Sequence, residues 1–245
     1  MSDNKYILQQ TYQTITYDWR EYNLAISELN KLRSDKERAI KAVNYMKRHD
    51  LSDERYLFLF ETAHQIANLI DINQIENMPV FKRHDFITNV FTYIHNYFNL
   101  SDKNLQISYD IIPFYSRIGE YRSKTNKIWI NEPIFYTKHT MIFYAGAMFH
   151  EFWHYLQSKH PDMIKYHFSD EKLTFNKYKL SSKQKFILYR NKPLEQEGWF
   201  AGYALIYFLD KKTKFKYASK LIKKLANKSD KDVVEVLKNI DKVKS

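Results

Sequence analysis

The chain has 245 residues, 44% of them hydrophobic, which is enough for one large domain or two small ones with a real core and too much for a disordered chain. It contains no cysteine, so disulfides, a thiolate nucleophile and cysteine-ligated zinc are excluded, and a catalytic metal would have to be held by histidine and carboxylate. The net charge of +11 lies mostly at one end, because residues 211–245 carry 12 lysines against 4 acidic residues. That segment reads as a solvated, lysine-rich helical tail, with contact to a polyanion such as nucleic acid as the alternative. No apolar run approaches the ~20 residues of a membrane span, and the opening MSDNKYILQQ lacks the layout of a secretory signal, so a cytoplasmic protein is expected.

Apolar residues recur at three- and four-residue steps through Tyr22–Ile40 and Tyr56–Ile70, which predicts a helical N-terminal region over residues 1–83. After a turn-like patch at Asn77–Pro79, Phe86, Val90, Ile94 and Phe98 line one face of a further helix over Asp85–Phe98. The period then falls to two. LQISYDII at 105–112 reads as a half-buried strand, and Gly119–Lys124 with Lys127–Asn131 reads as a hairpin closed by Thr125-Asn126. The apolar stretch 137–160 predicts a buried helix, and Pro193 opens another, LEQEGWFAGYALIYFL. Segment 161–190 gives no clear pattern, and a last amphipathic helix is predicted around Lys231–Asn239. The fold class is therefore α+β and mainly helical, with a small mixed or antiparallel sheet on the buried helix. A metal-binding core over 84–210 would be followed by a basic tail over 211–245.

The buried helix carries His150-Glu151-Phe152-Trp153-His154, an H-E-x-x-H. Residues four apart on a helix share a face, so both imidazoles can reach one ion while Glu151 is offset toward a water beside it. With 9 histidines and 13 glutamates in the chain, random placement gives roughly 0.02 such motifs. If the two histidines and the glutamate were merely core residues, three separate polar partners would have to be found for them.

A third ligand is needed. His160 mimics the last histidine of the metzincin signature, but Gln157 stands where that signature needs glycine, and on an unbroken helix His160 points about 240° away from His154. Glu195 and Glu197 lie on the next predicted helix. Of only four glycines (119, 146, 198, 202), Gly198 and Gly202 follow Glu195 on its own face, and Gly146 lies one turn before His150. Glycine costs ~1 kcal/mol in a helix, so the placement marks a close approach and favours Glu195, with His160 and Glu197 as alternatives.

Over residues 84–209 these features resemble the zincin metallopeptidases, and more specifically the gluzincin arrangement, in which a glutamate on a later helix completes a His, His site. The Pro193-Leu194-Glu195-Gln196-Glu197 run is similar to one found in small zincin-like proteins. The resemblance implies a Zn²⁺ held by His150, His154 and Glu195, Glu151 as general base, and a polypeptide substrate aligned by the strand near Ile128–Ile130. It also implies an Asp where Trp199 stands, which leaves the group that orients a ligand histidine unidentified; Tyr189, Tyr203, Tyr207 and His160 are the candidate transition-state donors. The competing expectation is a catalytically silent zincin fold used in binding or assembly. In either case the N-terminal helices would serve as a lid or a docking surface for a partner.

Overall fold

A computed structural model describes residues 18–49, 51, 53–71, 75, 78–100, 104–114, 116–161, 189–190, 192–213, 216–217 and 220. The predicted helix at Lys231–Asn239, nearly all of the basic tail and most of segment 161–190 lie outside them. The described part is mainly helical with one small mixed sheet, an α+β architecture. None of its helices is long and apolar enough to cross a membrane.

The apolar period through Tyr22–Ile40 runs across two helices, α1 (Trp19–Asn30) and α2 (Asp35–Met46). The break is chemical. The Ser34 side chain accepts from the Glu37 backbone N–H and the Glu37 carboxylate accepts from the Ser34 N–H, a reciprocal cap that starts α2 afresh. Asp53 caps α3 (Glu54–Leu69) through the Arg55 N–H. Helix α4 (Val80–Tyr97) starts directly after Pro79, five residues earlier than its apolar stripe indicates. Arg83 ties its first turn to the carbonyls of Phe135 and Thr137, at 2.8 Å each.

Strands β1 (Gln106–Asp110), β2 (Gly119–Arg122) and β3 (Lys127–Asn131) pair in the order β1-β3-β2, β3 parallel to β1 and antiparallel to β2. The hairpin loop has four residues rather than two. Thr125 N–H donates to Arg122 O, and Asn126 takes a left-handed conformation (φ 50°) that asparagine tolerates well. Because β3 is the middle strand, both of its edges are occupied. The expectation that Ile128–Ile130 would align an extended peptide therefore fails, and the edge that faces the H-E-x-x-H helix belongs to β2.

Helices α5 (Met141–Lys159) and α6 (Pro193–Lys212) form the centre, and α2 and α3 cover the other sides of α6. Residues of α1–α4 share one continuous apolar core with α5 and α6. The two central helices run antiparallel, with Gly146 against Gly202, His150 against Gly198 and Gln157 against Leu194. They meet at backbone distance. A Cβ on Gly202 would lie 2.7 Å from Gly146 O, and one on Gly146 would lie 2.5 Å from Ile206 Cγ1 and 2.8 Å from Gly202 O. Gly146→Ala gains helix propensity of ~1 kcal/mol but must push two backbones apart, so a net destabilisation of about 1–3 kcal/mol is expected in denaturant unfolding. A variant as stable as the parent would refute this close packing.

Candidate metal centre

The side chains of His150 and His154 project from successive turns of α5 onto the same side. Their Nε2 atoms are 3.0 Å apart. Two lone pairs cannot face each other at that separation, so either the N–H of one ring donates to the other or a metal ion lies between them. The Glu195 carboxylate closes the third side from α6, with Oε1 at 3.5 Å from His154 Nε2 and Oε2 at 3.7 Å from His150 Nε2. Glu195 Oε2 is buried without a hydrogen-bond donor. Glycine makes the approach possible, since a Cβ on Gly198 would stand 3.1 Å from Cε1 of both imidazoles.

Donor spacing provides a test of fit. Ligands about 2.0–2.1 Å from a tetrahedral zinc are separated by about 3.3 Å. The imidazole nitrogens here are 3.0 Å apart, and each has its own nearest Glu195 oxygen, Oε1 at 3.5 Å for His154 and Oε2 at 3.7 Å for His150, so the distances lie around that value. Two imidazole nitrogens and one carboxylate also form a zinc-type donor set.

Glu151 approaches from the other side. Its Oε1 is 4.0 Å from His150 Nε2, its Oε2 accepts the Tyr121 N–H of β2 at 2.8 Å, and the two histidines and Glu151 form a compact potential metal group. Gly119, which opens β2, leaves room for this carboxylate, because a Cβ there would sit 3.2 Å from Glu151 Cγ. All four glycines of the chain therefore line α5 or the neighbours it packs against.

Electrostatics separate the two histidines. Burial, followed by repulsion from His154, pushes His150 far below the usual imidazole range. Burial also opposes charge on His154, but a hydrogen bond to Glu195 and the Glu151 and Glu195 carboxylates raise it to about 9. Burial raises Glu151, with His154 and the Tyr121 N–H pulling the other way. Burial would raise Glu195 too, yet its contacts with His154 hold it below the ordinary carboxylate range.

The group that orients His154, a role for which the sequence offered no candidate, is Gln157. Its Oε1 accepts from His154 Nδ1 at 2.8 Å, and its Nε2 donates to Leu194 O at 3.1 Å and to Glu197 Oε2 at 2.8 Å. Those two acceptors fix which way the amide faces. The amide in turn places a proton on His154 Nδ1 and leaves Nε2 to face Glu195. Glu197 also accepts from Trp153 Nε1 at 3.3 Å, so it braces this relay away from the candidate ion. Replacing Gln157 with leucine should weaken metal binding about 10–100-fold while the helical signal persists, measured by competition with a chelating dye. Unchanged affinity would refute its orienting role. The motif i, i+3 from His154 was the available signal, but there Gln157 read only as a missing glycine.

The other candidates separate in space. His160 caps α5 and its Nε2 meets the Tyr155 hydroxyl at 2.6 Å, away from the three donors. Tyr207 packs on Phe60 and Phe208. The Tyr203 hydroxyl is engaged with Arg190. Tyr189 lies on the Glu195 side of the site, and partial desolvation together with the Glu195 and Glu151 carboxylates pushes its pKa well above the phenolic value. No protein-family model, curated protein or solved structure matches the chain, so similarity to known proteins adds nothing to this geometry.

Proposed function

We propose that the chain is a zinc-dependent metallopeptidase in which His150, His154 and Glu195 hold the ion and Glu151 is the general base. The observation that carries this reading is the converging trio of nitrogen and carboxylate donors at tetrahedral spacing, with a second carboxylate beside it. Bound there, zinc would polarise a peptide carbonyl and acidify a water. Glu151, fixed by the Tyr121 N–H, would take the proton from the attacking water and return it to the leaving amine. Its raised pKa suits both halves of that transfer. Tyr189, whose phenol feels the charge of both carboxylates, would donate to the developing oxyanion.

The test is to load the purified chain with zinc, measure metal content and follow cleavage of an unfolded protein such as casein. One ion per chain is expected, with hydrolysis removed by a chelator and restored by zinc. A chain that stays metal-free after loading refutes the reading.

A further inference from the structure

The sheet has two outer edges, and they differ. Along β2 the outward Tyr121 N–H is taken by Glu151 Oε2 at 2.8 Å, and α5 lies alongside. Along β1 the outward groups are open. Gln106 N–H donates to Asn126 O at 3.3 Å, which fixes the alternation of the parallel ladder. Gln106, Ser108 and Asp110 turn their backbone groups to β3, while Ile107 and Tyr109 turn theirs outward. Among the described residues the N–H and C=O groups of Ile107 and Tyr109 have no hydrogen-bond partner.

Unpaired strand groups are a template for another strand, so open edges are normally guarded by lysine, proline or a bulge. The β1 sequence QISYD has neither lysine nor proline, and its five residues pair with β3 in unbroken register. The edge is also complementary to itself. A two-fold axis through Ser108 lays β1 antiparallel to β1 of a second copy, and Ile107 then opposes Tyr109 of that copy. Four hydrogen bonds use every outward group of these residues in both chains. Gln106 meets Asp110 of the second copy, an amide donor against the only charge in the strand. Asp110 Oδ1 already accepts the Ile111 N–H at 2.7 Å, which leaves Oδ2 for this contact. Ser108, the smallest side chain of the strand, falls on the axis, where opposed Cα atoms approach to about 4.5 Å.

We infer that the outer edge of β1 docks a second copy of this chain, joining two three-stranded sheets into one of six strands. The inference does not rest on the metallopeptidase reading. The histidine and carboxylate donors lie beside β2, at the opposite edge of the sheet, so the pairing leaves them untouched.

A contact of this size makes a weak dimer, with Kd in the micromolar range. In sedimentation equilibrium of the full chain, the average mass should climb toward twice the monomer as concentration rises through that range. Ser108→Lys and Ser108→Glu each set like charges across the axis and should weaken association at least about tenfold. An equimolar mixture of the two should restore it, which separates lost pairing from lost folding. Register is tested by cross-linking. The chain has no cysteine, so Ser108→Cys introduces a single thiol, and residues opposed at about 4.5 Å lie within the span of a disulfide. Mild oxidation should cross-link this variant at least about tenfold faster than Ser123→Cys, a position exposed in the hairpin loop. A parent that is monomeric throughout, association that both charged variants keep, or equal cross-linking of the two thiols overturns the inference. So does a monomeric parent that binds an unrelated extended peptide, which would assign the edge to another partner.

Discussion

Glu151→Gln is expected to lower kcat about 10²–10⁴-fold, the usual contribution of a general base, while zinc content stays at one ion per chain. The substitution is nearly isosteric. A glutamine carbonyl can still accept the Tyr121 N–H that Glu151 Oε2 now accepts at 2.8 Å, so the side chain keeps its place and loses only its capacity to take a proton. Stability provides an independent check. Burial raises the Glu151 pKa in the folded state, so this group favours folding at low pH, where both states hold the proton, and loses that contribution as pH rises through its folded value. Near neutral pH the buried charge opposes folding, and the metal-free glutamine variant should be at least as stable as the parent in denaturant unfolding. Undiminished turnover at full metal occupancy would remove Glu151 from the chemistry. A large loss of stability would mean that its role is to hold β2 on α5.

The parts of this arrangement that were legible in the sequence depend on local periodicity. His150 and His154 share a face because 3.6 residues make a turn, and the 146, 198 and 202 glycines marked a close approach because glycine is otherwise disfavoured in helices. Helix α6 begins at Pro193 for an equally local reason, its missing N–H. What was not legible depends on which elements become neighbours. The insertion of β3 between β1 and β2 is a topological fact that a two-residue alternation does not encode, so the strand expected to align substrate is the one with no free edge. Gln157 looked like a defect in another motif until α6 brought Leu194 O and Glu197 to its amide. The division of labour between Glu195 and Glu197 follows from the same packing, since one faces the imidazoles and the other the indole of Trp153. The Ser34-x-x-Glu37 cap, by contrast, was present in the sequence and was masked by an apolar period running across it.

Glu195→Ala and His154→Ala should each abolish stoichiometric zinc, and the proton balance of metal uptake should distinguish direct ligation from structural support. Without metal, His154 is held charged to about pH 9 by Glu195, Glu151 and Gln157, whereas a ligand imidazole must be neutral at the coordinating nitrogen. At pH 7.5 zinc binding to the parent chain is therefore expected to release close to one proton. Apparent affinity should rise about tenfold per pH unit until it levels near pH 9. Calorimetry in buffers of different ionisation enthalpy measures that number directly. Glu195→Ala removes the hydrogen bond and one of the two carboxylates that keep His154 charged, so its residual zinc uptake should release fewer protons as well as being weaker. A second signature concerns the folded state alone. A histidine whose pKa is raised on folding stabilises below its unfolded value, and that contribution is lost as pH rises through its folded value. The metal-free parent should thus lose stability between about pH 6.5 and 9 and regain it on adding zinc, while His154→Ala should show neither change. Zinc uptake by the parent without proton release, or full occupancy in Glu195→Ala, would place the ion elsewhere than between these three side chains.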